Sequence, residues 1–289
     1  MQIGLAALCL ANCAEQQRQS TVYDSEAASL GYERLAETLK QHGQLKTHVE
    51  PGRQQVSATQ LARNFEKIAF FSEYSLEDGE YVAHRGTLRL QRWETPLRAT
   101  IVFGESVSPE KQANFRGSVA GYLQRLEAIT GHSMQLTTQD PNFLILVLST
   151  EELDQANRLI RRFSRQIPRH IGRSIASSHP SVLCSAYTIA SSETTPSLFA
   201  GVAFIRSEHR GIMMQACIHE ELAQALGMPN DNLGVFPSIF NDNEEYALLT
   251  DHDEQLLQIL YDPRLQVGMT RTEARSIVTL IAEELTAAP

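Results

Sequence analysis

Between Gln215 and Asp231 the sequence reads Q-A-C-I-H-E-E-L-A-Q-A-L-G-M-P-N-D, a run of side chains able to hold a cation or move a proton. Glu220 and Gln224 stand four apart, so a helix places them on one face, one turn above the other. Glu221 follows at once and brings a second carboxylate, a residue type that serves as a general base when a water must lose a proton. Gly227 allows the backbone to turn after the helix, so that Asn230 and Asp231 can come back toward the same face. One carboxylate and two neutral amides make a poor zinc site, because zinc favours thiolate, imidazole and carboxylate. Oxygen donors suit calcium or magnesium better, and Asp231 would add a second charge. The plainer alternative is a hydrogen-bonded polar pair, Glu220 with Gln224, on an ordinary helix. A frame that starts at His219 is less suitable, because Ala223, four residues on, cannot bind a metal.

These residues need a scaffold, and the pattern of the chain supplies one. Leu97 to Phe103 reads as a strand that becomes buried at its end, and Phe143 to Leu148 is apolar on both faces, as a central strand is. The Leu88 to Trp93 stretch alternates like a half-exposed strand, and two further strands are expected over Val182 to Ala190 and Phe199 to Ile205. Ser108-Pro109 opens a helix whose stripe of Phe115, Val119, Tyr122, Leu126 and Ile129 ends at Gly131. Ser149 with Glu152 forms a capping box for a helix expected to run to about Ile167. A long helix over Gly211 to Met228 carries Glu220 and its neighbours, and capping signals at Thr250/Asp253 and Thr270/Glu273 start two more. The expected class is therefore α+β, a mixed sheet covered by long helices.

The chain has 289 residues, 42% of them hydrophobic and 20% charged, which suits a globular protein with a substantial core. A net charge of −9 argues against nucleic acid as a partner. No run of eighteen apolar residues occurs, so no membrane-spanning helix is expected. Ile3 to Ala11 is nevertheless apolar, like the core of a secretory signal, and ends at Leu10-Ala11-Asn12-Cys13. That context resembles a bacterial lipoprotein cleavage site, with Cys13 as the acylated residue. Asn12 stands where a smaller residue is usual, and no Lys or Arg precedes the apolar run. The domain organisation that follows is a signal and lipobox-like segment over 1–13, a polar tether with a weak helix over 14–57, and a domain over 58–289. In an exported protein Cys184 and Cys217 could form a disulfide that pins the helix to the sheet; otherwise they are two buried thiols.

Two other groups stand out. Arg158, Arg162, Arg165, Arg169 and Arg173 recur every three or four residues, with Arg161 beside them, as a solvated helix face or a dock for anionic groups. Asn241-Asp242-Asn243-Glu244-Glu245 and Thr250-Asp251-His252-Asp253 are acidic, but they lack the spacing of an EF-hand loop. There is no G-x-S-x-G elbow and no phosphate-cradling glycine loop.

The run from Glu220 to Asp231 resembles the signature Glu-Glu-x-x-Gln-x-Leu-Gly-x-x-Asn-Asp of an uncharacterised family of proteobacterial lipoproteins, known only as a domain of unknown function. More distantly, residues 92–261 resemble a degenerate matrixin-like metzincin. Its H-E-x-x-H-x-x-G-x-x-H frame becomes E-E-x-x-Q-x-x-G-x-x-N here. The resemblance implies a zincin-like fold, with Glu220, Gln224 and Asn230 at the metal-ligand positions, Glu221 at the general-base position and Gly227 at the turn. It also sets Ser238-Ile239-Phe240-Asn241 at the Met-turn, with Phe240 for the methionine. Loss of the histidines removes the strong zinc donors, and without a metal to acidify its water Glu221 is a weak base for hydrolysis. The expectation is a lipid-anchored protein of the bacterial envelope facing the periplasm. Its domain would act as a pseudoenzyme that binds a peptide or envelope protein along an exposed strand edge, Asp231 contributing to the site. No cofactor is expected beyond a candidate divalent cation. The alternative is an atypical metallopeptidase or hydrolase using Glu221.

Overall fold

Six consecutive apolar residues, Phe143–Leu148, form the strand on which the rest is assembled, and every one of them is buried. The computed structural model describes residues 26–50, 56–77, 80–241 and 243–287. Strands are β1 (Phe71–Glu77), β2 (Glu80–Thr87), β3 (Arg92–Trp93), β4 (Leu97–Phe103), β5 (Met134–Leu136), β6 (Phe143–Leu148), β7 (Cys184–Ala190) and β8 (Ser197–Arg206). Helices are α1 over residues 26–41, α2 (Ala58–Ala69), α3 (Pro109–Thr130), α4 (Ala156–Phe163), α5 (Arg169–Ala176), α6 (Gly211–Gln224), α7 (Asp251–Tyr261) and α8 (Arg271–Ala287).

The main sheet has six strands and is mostly parallel. β5, β4, β6 and β8 lie side by side and parallel, short β3 pairs with Ser197 and Leu198, and β7 runs antiparallel along β8 from Cys184↔Ile205 to Ala190↔Leu198. Because side chains alternate across a strand, β6 serves two cores. Phe143, Ile145 and Val147 join a large cluster with α2, α3, α6, α7 and α8, whereas Leu144, Leu146 and Leu148 pack with Ile160, Ile171 and Ile175 on the other face. This is the expected mixed sheet between layers of helices.

The helix signals operate as read. Ser108 and Ser57 cap α3 and α2, Gly131 closes α3 in the left-handed region, and Thr250/Asp253 and Thr270/Glu273 make reciprocal caps. Three expectations are corrected. The helix expected from Ser149 to Ile167 is a 3-10 turn over Thr150–Gln155 followed by α4, which stops where Ser164 becomes extended; Pro168, just before α5, explains the break. The Leu88 to Trp93 strand shrinks to β3, since Leu90 is fully buried and exchanges backbone bonds with Gly268 and Met269. Residues 26–50, assigned to a free tether, are docked: Ala36 and Leu45 pack with Met213, Ala216 and Ala247, and Lys46 bridges to Tyr246. The apolar run ending at Cys13 lies outside the described residues. Among the described residues, no helix is long and apolar enough to cross a membrane.

The sequence reading did not anticipate the β1–β2 hairpin, a separate antiparallel pair that leaves the end of α2 and reaches α5.

Candidate functional site

Helix α6 is fixed at both ends by groups that satisfy backbone polarity. Just before its start, the guanidinium of fully buried Arg206 donates to the carbonyls of Val182, Ser178 and His179 (2.8, 3.2 and 2.9 Å), fastening the segment that leads into β7. Glu208 accepts from the backbone and hydroxyl of Thr150 (2.6 and 2.7 Å), and His209 holds the Leu183 carbonyl at 2.9 Å. Burial keeps His209 neutral, its pKa depressed to about 4. At the other end the orphan carbonyls of Ala225 and Leu226 accept from Trp93 Nε1 (2.8 Å) and the Tyr261 hydroxyl (3.1 Å). Gly227 then turns the chain at φ +126°, where a Cβ would stand 2.1 Å from the Gln91 carbonyl oxygen, so only glycine fits.

The middle of α6 is bound to the sheet covalently. Cys217 forms a disulfide with Cys184, the first residue of β7. Between them α6 and β7 form two walls of a cavity of about 660 Å³. Its lining includes Ser181 to Thr188 from the β7 side, Met213, Ala216, Glu220, Glu221 and Gln224 from α6, and Pro229, Asp231 and Glu244 from the chain beyond. Ser72, Leu88 and Gln91 border it from the hairpin and the segment that follows.

Glu221 is 4% exposed, and its Oε2 has no hydrogen-bond partner. Burial above all, then the neighbouring charges of Asp231 and Glu244, pushes its carboxyl well above the usual range. Gln224 donates through Nε2 to both carboxylate oxygens of Asp231 (2.9 and 2.8 Å). Gln224 is thereby a polar partner of Asp231 across the glycine turn. Asn230 is 1% exposed, donates to the Lys67 carbonyl at 2.7 Å and does not line the cavity. Of the three ligand positions, Glu220 and Gln224 line the cavity and Asn230 does not: its amide nitrogen is used on α2, while its buried Oδ1 has no hydrogen-bond partner. The tightest donor group among the described residues is Cys184, Glu220 and Glu221, within 4.8 Å of one another, but the disulfide removes the thiolate. Two carboxylates remain, too few for a zinc site of ordinary strength. The zinc implied by the metzincin resemblance does not fit this donor set.

His219 turns away from the cavity. Its Nδ1 accepts from the Leu249 amide at 3.0 Å, its ring stacks on Tyr122 with centroids 3.9 Å apart, and burial depresses its pKa to about 4. Ser238 and Phe240 are fully buried. The Ser238 hydroxyl and the Ile239 amide donate to Asp253, whose carboxylate also accepts from the backbone and hydroxyl of Thr250. Asp253 is thereby consumed as a cap and is not available to a calcium ion; Asp242 lies outside the described residues. The arginines divide between α4 (Arg158, Arg161, Arg162), the connection (Arg165) and α5 (Arg169, Arg173), and none lines the cavity. All but Arg161 are exposed.

Residues 58–280 match the family described as a protein of unknown function, DUF2927, and the chain belongs to that family. No curated protein matches it.

Proposed function

We propose that this domain is a peptide-binding module, a degenerate zincin-like pseudoenzyme that holds an extended segment in the cleft between β7 and α6. One observation carries the reading. β7 is an outer strand, paired only with β8 among the described residues, and it forms a wall of the cavity while a disulfide clamps it to the opposite wall. An outer strand presents a row of backbone donors and acceptors, and an extended peptide laid beside it completes them. Three features support the zincin-like part of the proposal: the antiparallel strand beside the helix, the glycine-dependent turn after it, and the buried Ser238–Phe240 turn in the same core as Leu222 and Leu226. Binding is favoured over hydrolysis because the one close group of strong donors, Cys184, Glu220 and Glu221, loses its thiolate to the disulfide and keeps two carboxylates where a metallopeptidase needs three strong ligands, and because Glu221 is held toward its protonated form, which cannot act as a base.

The same reading includes the envelope. The apolar run before Cys13 would direct export and lipidation, and a Cys184–Cys217 disulfide suits an oxidising compartment. Lipidation at Cys13 is tested by detergent-phase partitioning, which the Cys13→Ser variant should lose; a wild type that stays in the aqueous phase refutes it.

Peptide binding is tested by panning a phage-displayed heptapeptide library on the full chain, then scanning an enriched peptide with N-methyl amides. Strand addition uses alternate peptide amides, so binding should be lost with a period of two. Failure to enrich any peptide, a scan without that period, or hydrolysis of the peptide that Glu221→Gln abolishes would each overturn the proposal.

A further inference from the structure

We infer that the arginine face of α4 and α5 docks on a surface of anionic phospholipid. The choice of a lipid as the anion rests on the envelope reading; the positive face itself does not.

From Gln155 to Ser192 the sequence carries six arginines and no aspartate or glutamate, in a chain whose net charge is −9. The fold gathers that charge on one side. Ala156 and Ile160 of α4 and Ile171 and Ile175 of α5 pack inward with Leu144, Leu146 and Leu148 of β6. Arg158 and Arg162 on α4 are four apart, as are Arg169 and Arg173 on α5, so each pair shares a helix face. All four are exposed, and so is Arg165 in the connection. The two helices touch where Gly172 meets Asn157: a Cβ on Gly172 would stand 2.6 Å from the Asn157 Cα, so glycine permits this approach. Arg173 and Arg158 are the next residues along, so the contact sets the two arginine pairs side by side. Arg161 donates to the Arg165 carbonyl at 2.8 Å and ties the connection to α4.

Elsewhere arginines find acids: Arg98 with Asp140, Arg125 with Glu254, Arg210 with Glu33, and Arg264 with Asp262 and Glu284. Among the described residues, none of the six in this layer forms an ion pair. Like charges gathered without counter-charges repel, so the layer is stabilised when anions cover it. Guanidinium suits phosphate, which its planar fork binds through two hydrogen bonds. The start of the chain favours a bilayer over a soluble polyanion. The Tyr32 hydroxyl of α1 donates to the Pro180 carbonyl at 2.9 Å, so α1 docks beside the loop that leaves α5 at Ala176. Cys13 and residue 26, where α1 starts, are joined by a stretch of chain that reaches about 45 Å at most. A lipid at Cys13 would therefore hold the arginines near the membrane, and an acyl chain combined with a basic patch supplies the two signals that stable attachment requires. None of the arginines lines the cavity, so the docking face and the peptide cleft are distinct surfaces.

The experiment is cosedimentation of the full chain carrying Cys13→Ser, which has no acyl group at that position, with vesicles of phosphatidylcholine alone or mixed in equal parts with phosphatidylglycerol. Binding should require phosphatidylglycerol and fall away as sodium chloride rises from about 0.05 to about 0.5 M. Arg162→Gln/Arg169→Gln should weaken it by about thirtyfold, since each basic residue at such a surface contributes a factor of about five. Arg162→Lys/Arg169→Lys keeps the charge and should retain most of the binding. Arg63→Gln/Arg116→Gln, on α2 and α3 at the opposite face of the sheet, should leave it nearly unchanged. All four of these arginines are exposed, so the fold is not at stake in any variant. No dependence on phosphatidylglycerol, or equal loss in both glutamine pairs, would overturn the inference. Release by inorganic phosphate beyond that of sodium chloride at equal ionic strength would overturn it too, by making the face a small-anion site. Binding to polyglutamate but not to vesicles would do the same in favour of an acidic polypeptide. A wild type that stays in the aqueous detergent phase while phosphatidylglycerol binding persists would refute the lipid anchor alone and support the face as a separate membrane contact.

Discussion

Removing the Cys184–Cys217 bridge tests how the cleft is held. The two cysteines are 33 residues apart, so reducing the bond releases a loop of that length in the unfolded chain. The chain-entropy relation then gives about 12 cal/mol/K, or about 4 kcal/mol at 25 °C. Cys217 is buried at 1% exposure, so replacing it with alanine adds a small void worth about 1 kcal/mol. At roughly 2 to 4 °C per kcal/mol for a domain of this size, Cys184→Ala/Cys217→Ala should melt about 10 °C or more below the wild type. Urea denaturation at pH 7 followed by circular dichroism gives the free energy directly. A second readout is local. The bridge ties an outer strand to a helix, whereas β6 is enclosed on both faces, so amides of Cys184–Ala190 should exchange faster in the variant while those of Phe143–Leu148 change little. A midpoint within about 2 °C of wild type, with β7 exchange unaltered, would show that packing alone holds the cleft and would refute this reasoning.

The pH dependence of stability should show two opposed contributions. Glu221 has a raised carboxyl pKa, so its cost is absent below about pH 4.5 and grows as pH rises toward the folded value; Glu221→Gln should therefore gain more stability over wild type at pH 8 than at pH 4.5 in urea titrations. His209 and His219 are depressed from 6.5 to about 4, so the stability of keeping them neutral is lost as pH falls through that window, about 3 kcal/mol each by pH 4, and the wild-type urea midpoint should fall accordingly. A midpoint unchanged from pH 7 to pH 4 in the Glu221→Gln variant, where the opposing contribution is absent, would contradict the histidine assignment. Gly227→Ala should destabilise by about 2 to 3 kcal/mol or more, because its Cβ meets the Gln91 carbonyl at an unfavourable φ, whereas Gly117→Ala on the open side of α3 should stabilise by about 0.5 to 1 kcal/mol. Equal effects of the two substitutions on the denaturation midpoint would refute the close approach. Trp93→Phe removes the donor to the Ala225 carbonyl and should cost about 1 to 2 kcal/mol in the same assay; no loss would show that this end of α6 needs no cap.

Elements with strong local signals were legible in the sequence. The double-faced apolar run of β6, the Ser108-Pro109 start and Gly131 stop of α3, and the reciprocal caps at Thr250 and Thr270 each follow from local chemistry that tertiary contacts did not override. Long-range features were not. The packing of Leu45 against Ala247 depends on contacts across about two hundred positions, so residues 26–50 read as a tether. The buried Arg206–Glu208–His209 run carries no spacing signal, because its partners are carbonyls and a threonine brought together by the fold. The hairpin did leave a signal: Asp78-Gly79 between Tyr74/Leu76 and Tyr81 is a hairpin-turn dipeptide flanked by strand-forming residues. In the site, helical spacing placed Glu220 and Gln224 on the cavity wall. The fate of Asn230 and the Gln224–Asp231 pair depended on the path of the chain after Gly227, which spacing alone does not fix.

The most direct test of the peptide cleft is hydrogen exchange of the full chain with and without an enriched heptapeptide. The account predicts slowed exchange at Cys184–Ala190, as outer-strand amides gain partners, with the peptide recovered intact. Unchanged exchange in β7 with protection elsewhere, or a cleaved peptide, would contradict it.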